Sequence, residues 1–399
     1  MNKYLNRISK DLVNANLDNY WSGFESVAYA LYDKSYVYLF NHPRMEKNQQ
    51  SNYQILNWDE QFMGCTLILY NDFPTAIVNI ELYENYESLY SILVHELFHG
   101  FQYVKGETRF ANEILGITYL LSKENVELRN QERINLYSAV LENNIIEKKQ
   151  YLNTFIALRE KRTAKFNNNL LYENLIETIE GPAWYVELKA YSEKSPLDYK
   201  SVLKKYGQNL KDKYGSISDI RKSCYSSGLF MCLLLDEFLP GWKESFWGNE
   251  ETLYGIFKQL SDDVIKISNI EISPETEEVI NFAIQNRKNT FENFEQQKGI
   301  HLFIEGEITA KSFDPMNIVS FENRLLHKNF IKVGINNEDY FIQQPVIAYS
   351  KDGLQNMIKL HLILKNNPIE NADSLKIDGI GVIKGRYEKQ ENVLHLYVN

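Results

Sequence analysis

Between Ser91 and Gln102 the chain reads Ser-Ile-Leu-Val-His-Glu-Leu-Phe-His-Gly-Phe-Gln, and the five residues from His95 to His99 constrain it more than any others. On an α-helix, two imidazoles four positions apart stand one above the other, about one turn apart. Two nitrogen donors are thereby offered to a single tetrahedral Zn²⁺. Glu96 follows the first His too closely to share the ion easily, but it can reach a water bound there. One turn of backbone thus supplies two ligands and a general base.

Only 7 histidines occur in 399 residues, so two of them at this spacing around a Glu are a rare coincidence. The bland alternative is a buried helix whose histidines satisfy local hydrogen bonds. Leu89, Ile92, Leu93, Leu97 and Phe98 do predict a core helix. A core helix has little reason to bury two imidazoles and a carboxylate together, because unpaired polar groups are costly there. The metal interpretation is favoured. Asn85 is the expected N-cap and Gly106 the expected stop.

Upstream, Met1 to Asn16 has helical spacing, and strands are expected over Ser26–Tyr32, Ser35–Phe40, Gly64–Tyr70 and Thr75–Glu81, the last two joined by an Asn71-Asp72-Phe73-Pro74 turn. Either of the last two could be an edge strand beside the metal helix. From Glu124 to about Gln297 the periodicity is helical, over 124–145, 147–162, 170–193, 196–212, 218–238, 250–262 and 275–297. Beyond Gly299 short alternating runs take over: His301–Gly306, Phe330–Gly334, Tyr340–Tyr349, Ile358–Leu364, Ile377–Ile383 and Val393–Val398. The expected class is α+β. A catalytic domain over 1–298 has a small N-terminal sheet, the metal helix and a mostly helical lower part, and a β-sandwich or barrel-like domain follows over 299–399.

The net charge of −10 argues against a nucleic-acid footprint, which would need a basic domain. Seven lysines between Lys189 and Lys213 are interleaved with acidic residues and read as a solvated helical face. Met1 to Leu12 lacks the apolar core of a leader, and Gly228 to Leu235 is too short to span a bilayer. Cys65, Cys224 and Cys232 are odd in number and unpatterned, as expected of reduced thiols, so a cytoplasmic protein without membrane or nucleic-acid partners is the expectation. Oligomeric state is not legible.

A catalytic zinc needs a third protein ligand and an open position. The metzincin pattern puts Gly and then a ligand at what are here Gln102 and Lys105, and a Glu about twenty residues on would fall within Gly116 to Leu120, which holds no carboxylate. Farther along stands Glu-Gly-Pro-Ala-Trp-Tyr-Val-Glu (180–187). It resembles the E-G-x-A-x-Y helix that supplies the third ligand in many gluzincins, the HExxH…E zinc metallopeptidases of the aminopeptidase N and thermolysin-like superfamily. That resemblance implies Glu180 as the third ligand, with Glu177 and Glu187 as fallbacks, and Gly181 and Ala183 as residues small enough for close helix approach. Pro182 threatens a kink there.

Tyr225-Ser226-Ser227-Gly228, running on to Leu235, resembles the Y-x-x-G helix of the same branch. The resemblance implies Tyr225 as the donor to the oxyanion, with Tyr185 as runner-up, although most of 27 tyrosines must be packing residues. It spans about 60–240. The chain departs from it in two ways: some 80 residues separate His99 from Glu180, and no G-x-M-E-N-like segment precedes the metal helix, Asn79-Ile80-Glu81 being only a distant echo. Aminopeptidase activity is therefore not implied. The expected function is a zinc metallopeptidase hydrolysing peptide or protein substrates with Glu96 as general base. The alternatives are a zinc hydrolase of other substrates, or a non-catalytic binding protein on the same scaffold.

Overall fold

A computed structural model describes residues 2–45, 52–261, 267 and 270–398; Met1 and residue 262, the far end of the helix expected over 250–262, lie outside the described residues. The fold is mixed α+β and divides into two units, one of residues 1–111 and 124–272 and the other of residues 112–123 and 273–399.

The first unit opens with helix α1 (Asn2–Asn14) and a five-stranded sheet. Its strands are β1 (Ala28–Tyr32), β2 (Tyr36–Phe40), β3 (Gln54–Asn57), β4 (Thr66–Tyr70) and β5 (Phe73–Asn79), in the spatial order β3-β2-β1-β5-β4. Side chains alternate between its faces as the strand period requires. Tyr29, Leu31, Tyr38, Phe40, Ala76 and Val78 enter the main core, while Ala30, Tyr32, Val37, Leu39 and Ile77 close over Phe62 on the other side. Strand β4 is an edge and β5 is interior, which decides between the two candidates. Asn71 and Asp72, both at positive φ, form the two-residue hairpin between them, with Tyr70 paired to Phe73.

Helix α2 (Tyr86–Val104) follows. The Asn85 side chain accepts from the Ser88 amide at 2.9 Å and so caps the first turn, and Gly106 takes the left-handed conformation (φ +74°) just past the end. Both ends fall where the sequence predicts. Leu89, Leu93, Leu97, Phe98 and Phe101 anchor α2 in the core of the unit.

After the short α3 (Glu113–Ile117), which belongs to the second unit, the helical body is α4 (Lys123–Leu141), α5 (Ile145–Lys165), α6 (Asn167–Lys194), α7 (Tyr199–Lys211), α8 (Lys213–Ser218), α9 (Ile220–Phe238) and α10 (Leu253–Phe257). Helix α6 runs through Pro182 without interruption. Helices α6 and α9 cross backbone to backbone: a Cβ built on Gly181 would lie 2.6 Å from the Gly228 Cα. No side chain fits between them.

Besides residues 112–123, the second unit comprises 273–399, so helix α11 (Pro274–Glu295) groups with it, whereas the boundary expected at 298/299 would place that helix in the first unit. Phe291 and Phe294 of α11 are buried with Leu326 and Ile347 of the following sheet, which ties the helix to the β structure. The strands are β6 (Ile300–Phe313), β7 (Ile318–Phe321), β8 (Arg324–His327), β9 (Ile331–Ile335), β10 (Glu338–Ile342), β11 (Val346–Asp352) and β12 (Asn356–Leu364). Then come β13 (Ile369–Asn371), β14 (Ser374–Ile377), β15 (Gly381–Lys384), β16 (Arg386–Gln390) and β17 (Val393–Tyr397). Nine of them form one sheet and β13, β14 and β15 a second; Leu302, Leu360 and Leu394 share a core with Leu375, Ile377 and Ile383. The expected Tyr340–Tyr349 and Ile377–Ile383 runs each prove to be two strands. Among the described residues, no helix is long and apolar enough to cross a membrane.

Candidate metal centre

Helix α2 projects His95 and His99 from consecutive turns, and their Nε2 atoms face each other at 3.0 Å. Glu180 of α6 brings its Oε2 to 3.4 Å from the His99 Nε2 and 3.7 Å from the His95 Nε2. For a tetrahedral ion with bonds near 2.0–2.1 Å, ligand atoms would be about 3.3 Å apart. These three edges scatter closely about that value. One proton between the two imidazoles satisfies that pair but leaves the Glu180 charge unmet, whereas a divalent ion can accept all three donor atoms at once. The donor set therefore fits Zn²⁺.

The outer nitrogens are also held. His99 Nδ1 lies 2.7 Å from Gln102 Oε1, and Gln102 Nε2 donates to the Ile179 carbonyl at 2.7 Å. Because the Gln102 amide already donates to α6, its oxygen must accept, so Nδ1 carries the proton of His99. The Nε2 lone pair is then directed at Glu180. His95 Nδ1 lies 3.0 Å from Glu187 Oε2, although at an angle poor for a hydrogen bond, and the Tyr206 hydroxyl donates to the other Glu187 oxygen at 2.9 Å. Glu187, a fallback ligand, thus sits behind His95 and not at the centre.

Glu177, the other fallback, is engaged elsewhere. Together with Glu132 and Glu173 it meets Arg159, Arg162 and Arg129 in a fully buried ion-pair network between α4, α5 and α6. Among the described residues, Glu173, Glu177 and Cys224 form the second carboxylate-containing group close enough to hold a metal. Guanidinium groups already neutralise its two carboxylates, so it is a structural charge cluster. Ser227 of α9 also donates to Glu177.

Electrostatics at the centre follow from burial and mutual contact. Burial alone would lower the pKa of His95, but Glu180 and Glu187 beside it hold it well above the usual imidazole range. Burial would raise Glu180, yet His99 and His95 hold its carboxyl well below the usual carboxylate range. The Glu96 carboxyl is pushed up, chiefly by burial, against the pull of His95 and His99. A raised carboxyl pKa is what a group that both accepts and returns a proton near neutrality requires.

Of the two tyrosines expected from sequence, Tyr225 is beside Glu180. Burial raises its hydroxyl pKa, and Glu180 adds to the rise while Arg221 opposes it. Arg221, one turn earlier on α9, places its guanidinium 2.9 Å from Glu180 Oε1. Tyr185 is engaged away from the centre: its hydroxyl donates to Asp236 and accepts from Lys243 at 2.6 Å, which occupies it in a separate polar group. The expectation of Tyr185 as an oxyanion donor is corrected accordingly. Nothing in the sequence singles out Gln102 or Arg221, whose partners lie 77 and 41 positions away, and Glu187, expected only as a fallback ligand, is placed behind His95 instead.

Cys65, immediately before edge strand β4, interacts electrostatically with Glu96 and His95, and its Sγ lies 3.7 Å from the Tyr83 hydroxyl. Strand β4 packs beside α2, the helix that carries both histidines. No family model matches this chain, and neither a curated protein nor a solved structure does.

Proposed function

We propose that this chain is a zinc-dependent peptidase of the gluzincin type, its first unit a zincin-like catalytic domain, with His95, His99 and Glu180 as metal ligands. The convergence of His95 Nε2, His99 Nε2 and Glu180 Oε2 from two helices is the observation that carries this reading. Bound there, Zn²⁺ would lower the pKa of a water molecule and polarise a carbonyl oxygen. Glu96, buried beside the ligands with a raised pKa, has the character of a base that takes the proton of the attacking water and returns it to the leaving amine. Tyr225, held by burial in its protonated form, is the donor for the oxyanion. Among the described residues strand β4 has a neighbour on one side only, and an extended peptide could add to its open edge by main-chain hydrogen bonds.

Metal analysis of the purified chain should find one zinc per molecule. Digestion of a peptide library should stop with a chelator and resume when zinc is restored. Glu96→Gln should keep its zinc and lose turnover by about 10²-fold or more. Peptide cleavage at the parental rate in Glu96→Gln would remove the mechanism; a chain that binds no zinc would remove the class.

A further inference from the structure

The two oxygens of Glu180 have different partners. Oε2 is the nearer to both histidine Nε2 atoms, whereas Oε1 is 2.9 Å from the Arg221 guanidinium. The Glu180 side chain is 8 % exposed and that of Arg221 27 %, so solvent competes little for this contact. Arg221 is also fixed in place from below. Gly228 of α9 abuts Gly181 of α6, and Ser227 donates to Glu177. Residues 221, 225 and 228 share one face of α9 at helical spacing, and that face lies along α6 over Glu177, Glu180 and Trp184.

We propose that Arg221 is a positioning residue that restricts Glu180 to ligation of the metal through Oε2 alone; this rests on the zinc reading above. A carboxylate can bind an ion through one oxygen or both. A site with three protein ligands and one open position tolerates only the first mode, because a second glutamate oxygen would occupy the position a water or carbonyl needs. A guanidinium is suited to the task. It is planar, it carries several donors, and it does not release its partner by losing a proton. A lysine or a water at the same place would hold Oε1 less firmly.

The test uses the full chain loaded with Co²⁺ in place of zinc, since the intensity of the visible cobalt bands reports coordination number. The unaltered chain should show the strong bands of a four-coordinate ion. Arg221→Gln and Arg221→Met should show bands several-fold weaker, as the freed Oε1 adds a ligand, while Arg221→Lys should stay closer to the parent. Two neutral substitutions are used so that a folding failure in one leaves the other to decide. Parental spectra in both neutral variants would overturn the proposal. So would a raised KM with an unaltered spectrum, which would mark Arg221 as a reader of substrate charge instead. Failure of the zinc reading itself is told apart, because it is seen in the unaltered chain as absence of stoichiometric metal.

Discussion

Gly181 and Gly228 touch through their backbones, and this contact sets the distance between the helix that carries Glu180 and the helix that carries Arg221 and Tyr225. A methyl group on Gly228 would meet the Gly181 Cα at 2.6 Å and the Glu177 carbonyl at 2.8 Å. Neither is the movable end of a side chain, so the helices must separate. Gly228→Ala should cost about 1–3 kcal/mol of stability in urea unfolding, the usual scale of overpacking. It should also weaken zinc retention. A loss under about 0.5 kcal/mol, the scale of a neutral surface change, would mean that the crossing relaxes easily.

Gln102 orients His99 and ties α2 to α6 one residue before Glu180. Gln102→Leu keeps most of the volume and removes both hydrogen bonds. The imidazole then has no fixed tautomer, and zinc affinity measured by chelator competition should fall about 10- to 100-fold. An unchanged affinity would show that helix packing alone holds the imidazole.

Tyr225→Phe deletes the proposed oxyanion donor while leaving the ring against Trp184. Turnover should fall by about 10²–10³, with KM and zinc content nearly unchanged. Tyr185→Phe serves as the comparison: its effect should appear in stability and not in turnover, since the hydroxyl is bound to Asp236 and Lys243. Equal losses of turnover in the two variants would remove the distinction drawn between them.

His327 in the second unit is buried, and among the described residues neither ring nitrogen has a hydrogen-bond partner. Burial lowers its pKa from 6.5 to about 4. Between those values the unfolded chain binds a proton that the folded chain refuses, so stability rises with pH across the window. The contribution is complete above about 6.5 and is lost as the pH falls toward about 4, amounting to about 3 kcal/mol. Denaturation at pH 7.5 and pH 4.5 should show a smaller acid loss for His327→Phe than for the parent. Identical losses would place the acid sensitivity elsewhere.

Part of the arrangement is legible in the sequence, for local reasons. Asn85 and Gly106 mark the ends of α2 because capping chemistry is encoded within a few residues. Glu180 is distinguished from Glu177 and Glu187 by the small residues after it, and the close crossing at Gly181 explains why they are small. What escaped depends on distant partners. Strand β3 is four residues with only a weak alternation of exposure, so its periodicity is slight and its existence rests on pairing with β2. Arg129 of α4 and Arg159 and Arg162 of α5 are buried because carboxylates from α4 and α6 await them, and no local pattern announces those partners. Helix α11 reads as the last of a helical series, and only Phe291 and Phe294, once paired with Leu326 and Ile347, assign it to the β structure.

Along α6, Glu173 and Glu177 serve the buried arginines, Glu180 faces the two imidazoles, and Glu187 backs the outer nitrogen of His95. Fifteen residues of one rigid rod, spanning about 21 Å, thus carry four acids in fixed phase. Inserting or deleting a single residue within that span would rotate part of the rod by about 100° and turn carboxylates away from both sets of partners at once. Length variation among descendants of this sequence should therefore collect in the connections at 142–144 and 195–198, leaving the interval from 173 to 187 unbroken.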